Sequence, residues 1–227
     1  MRAPYCDMTL INDPVNLAKF REINPKSWYQ PHCFRPAIHR PRGDRPGNPE
    51  LASDFVFIGT AFKSRVEFFE QLDLDGIDTM LAGNDWGQLD PSSALAKHVA
   101  IELGSKADCV HNHEAAELYR NSRIGLNLYR REGEATHEND LAEAMGPREV
   151  EQAACQLFFL RDSRPEGDRV LSMLPVFSGP ADASEQLHWW LAHDGLRDRR
   201  AAAAREAIAD RTFLNSAKIL LKRLEDL

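Results

Sequence analysis

Glu143 and Glu151 stand with seven residues between them, and the stretch they bracket holds a Gly146-Pro147 turn, Arg148 and Glu149. Each residue type has a chemical use there. A helix that starts at a Gly-Pro turn presents backbone N–H groups with no intrahelical acceptor, which suit a phosphate. A carboxylate one turn further in, Glu151, can accept hydrogen bonds from two vicinal hydroxyls of a ribose. Arg148 has the planar fork that pairs with phosphate oxygens. The plainer alternatives are a solvated acid at a helix start, where acids are favoured anyway, and a surface arginine. Glu143 lies in a run of acids (Glu132, Glu134, Glu138, Asp140), so its spacing to Glu151 has a chance explanation too.

The elements needed to position these groups are legible as alternating runs. Phe55-Val-Phe-Ile58 is continuously apolar and ends in Gly59-Thr60, as a buried parallel strand does. The pattern predicts helix 64–72, strand 78–82, a loop entered from 97–102, helix 112–121, strand 123–129 and a mobile polar loop over 131–146. Helix 148–155, strands 157–160 and 174–177, helix 182–193 and a long helical region over 195–227 follow. Strands and helices alternating at this spacing imply an α/β fold, a Rossmann-like parallel sheet flanked by helices. Gly59 lets the backbone approach a ligand at the carboxyl end of its strand, or serves as an ordinary turn. Lys63 and Arg65, at the next helix start, can neutralise a leaving group's charge or simply be solvated.

Residues 1–50 read differently. Met8–Ile11 is strand-like, Asn12-Asp13-Pro14 caps a short helix over 15–22, and Ser27–Tyr29 is a second short strand. Five prolines between residues 30 and 50 mark an extended connector.

Bulk properties exclude several classes. The chain has 227 residues, 43% of them hydrophobic, enough for one large domain or one domain with an extension. The net charge of −7 argues against a broad electrostatic grip on nucleic acid. Four cysteines without a C-x-x-C pair read as reduced thiols of a cytoplasmic protein. No run approaches the roughly 18 apolar residues that span a membrane. His111-Asn112-His113 invites a metal reading but lacks further ligands at suitable spacing, so a loop and cap are expected and no metal. Trp189-Trp190, beside Leu187 and Leu191, reads as core packing and not as a sugar platform. There is no G-x-G-x-x-G and no Walker lysine, so NAD and ATP readings are weak.

Taken together, the paired glutamates around a glycine turn, with Glu151 opening Glu-Gln-Ala-Ala-Cys155, resemble the donor-binding segment of GT-B glycosyltransferases, in the group-1 C-terminal domain. The nearest likeness within it is the group related to spore-maturation glycosyltransferases. Gln30-Pro-His-Cys-Phe-Arg-Pro36 is similar to the crossover between the two lobes of such enzymes. Phe57-Ile-Gly-Thr60 with Arg65 is similar to the first strand and turn of the C-terminal lobe, and 111–127 to the segment leading to the donor loop. One departure is Gln156, where a glycine usually follows the Ala-Cys pair.

The resemblance implies a hexosyltransferase-like, retaining enzyme that takes a sugar from a nucleotide-diphosphate sugar without a metal or other cofactor. It implies catalytic roles for Glu143 and Arg148 and donor binding by Gly59, Thr60, Lys63, Arg65, Asn127, Gly146, Pro147 and Glu151. It divides the chain into a remnant of the N-terminal lobe with the connector (1–50) and the nucleotide-sugar-binding domain (51–227). With the acceptor lobe mostly absent, a catalytically incomplete binding module, or a subunit needing a separate acceptor lobe, is the rival; an epimerase of the same architecture is a third. The acceptor stays unknown. The last helix, near 213–227, is expected to need a partner for its apolar side chains, from a second copy or another chain.

Overall fold

Phe55 and Phe57 point to one side of the central strand and Val56 and Ile58 to the other, and all four are buried. That double burial is why the run reads as continuously apolar. The structure, a computed structural model, describes residues 3–43, 46–103, 109–131 and 142–225. The central strand, β3 (Ser53–Ile58), belongs to a five-stranded parallel sheet with β4 (Thr79–Asn84), β5 (Val99–Leu103), β6 (Ser122–Asn127) and β7 (Phe158–Arg161). The order β5-β4-β3-β6-β7 puts β4 and β5 on one side of β3 and β6 and β7 on the other. The chain therefore reverses its winding between β3 and β6, and a crevice opens at their carboxyl ends. The first strands, β1 (Thr9–Ile11) and β2 (Ser27–Tyr29), flank α1 (Leu17–Ile23) and pair in parallel as a separate two-stranded sheet.

One face of the sheet packs on α2 (Lys63–Phe69), α6 (Pro180–Leu191) and α7 (Asp194–Ala207) through Phe68, Phe69, Leu187 and Ala204; α4 (Pro147–Ala154) adds Val150 and Ala153. The other face meets α3 (Asn112–Asn121) through Ala115, Ala116 and Leu118, with Ile38 from the connector. The connector is laid against the protein: Arg120 Nη1 donates to the Ile38 carbonyl at 2.8 Å. Phe34 N–H donates to the Arg211 carbonyl and the Phe34 carbonyl accepts Phe213 N–H, drawing the C-terminal segment alongside.

Two glycines are required by close approach. A Cβ on Gly83, which has φ +135°, would stand 2.3 Å from the Gly59 carbonyl oxygen. One on Gly125 would stand 2.0 Å from Gln152 Oε1 and 2.8 Å from Leu157 Cδ2. The tight packing of α4 on β6 is thus secured at Gly125, and position 156 ends the helix. Gln156 takes φ +60° there. Its N–H bonds to the Ala153 carbonyl and Leu157 N–H to that of Gln152, a Schellman closure built without glycine.

Four elements differ from expectation. Residues 99–103 form β5, an edge strand, where a loop was expected; Val99, Ile101 and Leu103 alternate with Ala100 and Glu102, a pattern too short and polar to stand out. Residues 174–177 form no strand: Val176 makes one bridge to Arg161, and Pro175 has no N–H to extend it. A helix, α5 (Pro165–Val170), was not anticipated. The C-terminal helical region breaks into α7 and α8 (Phe213–Glu225), with the bridge of Thr212 to Phe34 between them. Most of the expected loop over 131–146, including Glu132, Glu134, Glu138 and Asp140, lies outside the described residues.

Candidate functional site

At the crevice, Gly59 and Thr60 follow the end of β3, and β6 ends in Asn127, with Leu128 and Tyr129 following. Arg65 closes its inner edge. Its guanidinium donates to the Thr60 carbonyl at 3.1 Å and to the Leu128 carbonyl at 2.8 and 3.1 Å, and lies 5.3 Å from the ring centroids of Phe57 and Phe62. Arg65 thus ties the two strand ends together. Lys63 points outward and pairs with Glu67 at 3.6 Å, at the exposed start of α2.

Asn127 is buried, and its Nδ2 has no partner among the described residues. Its Oδ1 comes within 3.8 Å of the place a Cβ would take on Gly146, so the end of β6 abuts the start of α4. Tyr129 makes the junction firm: its hydroxyl oxygen accepts Gly146 N–H at 3.1 Å and its O–H donates to Glu149. Glu149 Oε2 also accepts Gly146 N–H, at 2.7 Å. Pro147 carries no N–H, and Glu149 N–H bonds to the Gly146 carbonyl. The first-turn donor left over, among the described residues, is Arg148 N–H.

Glu149 was not among the expected site residues, yet it is fully buried. Burial pushes its carboxyl up to about 7, opposed by the bonds from Tyr129 and Gly146 and by Arg161. Burial, with Glu149 beside it, likewise holds the Tyr129 phenol well above its ordinary value. A sequence signal existed in the acid three positions after the helix cap, but the cap is a glycine, so the Ser/Thr-x-x-Glu pattern is incomplete.

Glu143 and Glu151 are held differently. Glu143 N–H bonds to the Asp13 carboxylate at 3.2 Å and its carbonyl accepts Glu166 N–H, which anchors the backbone and leaves the Glu143 carboxylate without a partner among the described residues. Glu151 pairs with Arg148, Nη1 to Oε2 at 2.7 Å, so the guanidinium folds back along its own helix. Glu151 and Pro147 line a cavity of about 400 Å³ whose other walls include Asn112 of α3, His32 and His39 of the connector, and Phe213 of α8. Both histidines are held below their usual range, chiefly by burial. His39 Nδ1 accepts Arg35 N–H at 3.4 Å, while its Nε2 has no partner among the described residues. Neither histidine was expected at the site, because nothing in an extended Pro-rich segment marks which residues turn inward.

Among the described residues, no group of three or more His, Cys, Asp or Glu is placed to hold a metal ion. No helix among them is long and apolar enough to cross a membrane. Cys155 is buried, which pushes its thiol up to about 12 and leaves it unreactive.

The fold matches sucrose-phosphate synthase from Thermosynechococcus elongatus with a TM-score of 0.67 at 11% identity, covering 97% of this chain and 58% of that one. It matches HepE of Anabaena, solved in complex with UDP and glucose, with a TM-score of 0.67 at 8% identity, covering 100% and 65%. It matches WaaG, a glycosyltransferase of lipopolysaccharide biosynthesis, with a TM-score of 0.60 at 16% identity, covering 91% and 59%. The chain therefore spans less than two thirds of the length of these structures, and at such identities the likeness is one of fold, that of the GT-B glycosyltransferases. No curated protein matches it by sequence. A family model described as glycosyl transferase-like matches residues 65–220, most of the chain, and includes β6, α4 and the Glu143–Glu151 segment. The chain belongs to that glycosyl transferase-like family.

Proposed function

We propose that the chain binds a nucleotide-diphosphate sugar at the carboxyl ends of its sheet and serves in transfer of the sugar, with retention of anomeric configuration, to an acceptor. The observation that carries this reading is Glu151 on the wall of a cavity of about 400 Å³ beside the first turn of α4, within the size range of small-molecule sites. In this reading Glu151 accepts the ribose hydroxyls. The diphosphate lies at the helix start, against Arg148 N–H and the Gly146-Pro147 turn. Gly59, Thr60 and Asn127 form the strand-end floor outside the walls of that cavity, and Asn127 offers an Nδ2 that has no partner among the described residues. Arg65 keeps that floor in shape, and Lys63 supplies a cation at its rim.

The chemistry uses the protein's dipoles and cations and calls on no metal. As the bond from the anomeric carbon to the diphosphate oxygen breaks, positive charge grows on the carbon and negative charge on the leaving phosphate. The helix N–H and the Arg148 guanidinium, once it swings from Glu151, stabilise the leaving charge. The Glu143 carboxylate, unengaged by described residues, holds sugar hydroxyls. An acceptor hydroxyl then bonds to the anomeric carbon on the face the phosphate leaves, and its proton passes to the departing phosphate.

A second reading is favoured by one observation: α8 buries none of its residues, with Phe213, Leu214, Ile219, Leu221 and Leu224 all exposed. In that reading the chain is a donor-binding subunit whose α8 is covered by a second copy or by a chain supplying an acceptor lobe. Titration calorimetry with UDP and UDP release from UDP-sugars, with and without acceptor glycans, separate the two. UDP binding with acceptor-dependent release supports the transferase; binding without release by the isolated chain supports the subunit; no binding overturns both.

A further inference from the structure

Two successive N–H groups of the donor-loop turn are held by two different buried carboxylates. Met145 N–H donates to Glu166 Oε2 at 2.7 Å, and Gly146 N–H to Glu149 Oε2 at 2.7 Å. Glu149 is 0% exposed and Glu166 2%. Glu166 also accepts from the Tyr29 hydroxyl and from Arg211 Nη2, at 2.8 Å for the latter. The peptide planes on either side of Met145 are thus pinned immediately before α4 begins.

The choice of residues has a physical logic. A Ser, Thr or Asp cap would stabilise the helix start by accepting the first-turn N–H groups, the donors a bound phosphate needs. Gly146 has no side-chain acceptor and leaves Arg148 N–H uncovered. Glu149 instead reaches back from inside the helix to the N–H of Gly146, a donor that precedes the first turn and is already engaged by Tyr129 and Glu149. The turn is stabilised without blocking its anion-binding end.

We propose that Glu149 is a positioning residue of the nucleotide-diphosphate site: by holding Gly146 N–H together with Tyr129, it sets the direction of α4, so that Arg148 N–H and Glu151 meet the ligand in one geometry. This rests on the donor-site reading above. The charged and titratable groups around Glu149 are Tyr129 from the end of β6, Arg161 from β7 and Glu166 from α5. None of them reaches Oε1, which has no partner among the described residues.

The test uses the full chain, its Glu149→Ala and Glu149→Gln variants, and UDP as probe, with calorimetric affinities between about pH 6 and pH 8 and the Gly146 amide followed by NMR. Loss of a charge-assisted bond that orders the turn is expected to weaken UDP by roughly tenfold or more in Glu149→Ala. Glu149→Gln keeps an acceptor oxygen, so it recovers most of that loss. It also removes the titrating group, so its affinity relative to the parent changes across the pH range and its Gly146 amide shift stops following pH. If Glu149→Ala does not fold, the pH-dependent ratio between parent and Glu149→Gln decides. A parent chain that binds UDP, with folded variants of equal affinity and a constant ratio across pH, overturns the positioning role alone. A parent chain that binds no UDP overturns the donor-site reading and this inference with it.

Discussion

Arg148 and Glu151 form an ion pair within one helix turn, Nη1 to Oε2 at 2.7 Å, and Glu151 stands on the wall of the cavity proposed for the nucleotide. The pair masks both charges until a ligand competes for them. Glu151→Gln is expected to fold normally and to weaken UDP binding by about 1.5–3 kcal/mol, the worth of hydrogen bonds to a charged group, or roughly ten- to over a hundredfold. Arg148→Ala removes a phosphate partner but also frees Glu151. The double variant is therefore expected to lose less affinity than the sum of the singles, by about 0.5 kcal/mol or more. Calorimetry on the four proteins checks this, and additive losses would show that the pair has no bearing on binding.

The buried Glu149 carboxyl makes a stability prediction of unusual sign. Its folded value, about 7, lies above the ordinary 4.5, so between these values the folded chain binds more protons than the unfolded one. Its contribution to stability therefore falls as pH rises through that window and levels off above about pH 7. The full effect is on the order of 3 kcal/mol. Glu149→Gln is expected to flatten this part of the profile. Asp168, Asp182 and Asp194, all held low, act in the opposite sense and only at more acid pH, as they protonate. Urea unfolding of both proteins at several pH values measures the difference, and parallel profiles would rule it out.

Gln156 occupies the left-handed position that closes α4, with φ +60°. It is exposed. Gln156→Gly is expected to stabilise the chain by about 1 kcal/mol, because glycine adopts this conformation without the Cβ clash. A shift in the urea midpoint with unchanged slope is the readout.

The exposed apolar residues of α8 predict association. Light scattering is expected to show a mass that rises with concentration. Leu221→Glu, at a position 60% exposed, is expected to reduce that rise with little effect on the unfolding midpoint. A monodisperse monomer at high concentration would leave α8 without a self-association role.

Much of the fold was legible because β3 and β7 are buried on both faces, which writes continuous apolar runs into 55–58 and 157–160. β5 was missed because its five residues are few and include the polar Glu102, which leaves no continuous apolar run to read. α5 was missed because six residues with Gly167 and Asp168 give no helical period to read. Within the site, the Glu143–Glu151 segment stood out through its spacing along the chain. The groups that surround it did not, since Tyr29, His32, His39 and Glu166 come from segments whose inward-facing residues are chosen by tertiary contact. Arg65 was legible as a cation but not as a brace between two carbonyls, for the same reason.

Glu166 gathers Tyr29 from the second strand, Met145 from the donor loop and Arg211 from the segment before α8 onto one carboxylate. The turn before α4 is therefore not a portable cassette. Grafting residues 51–227 onto another scaffold would remove Tyr29 from that carboxylate, and ending the chain after α7 would remove Arg211, leaving a buried acid with fewer partners directly behind the turn. What looks like an appendage at the start of the chain acts, at this point, as masonry for the loop 116 residues downstream of Tyr29.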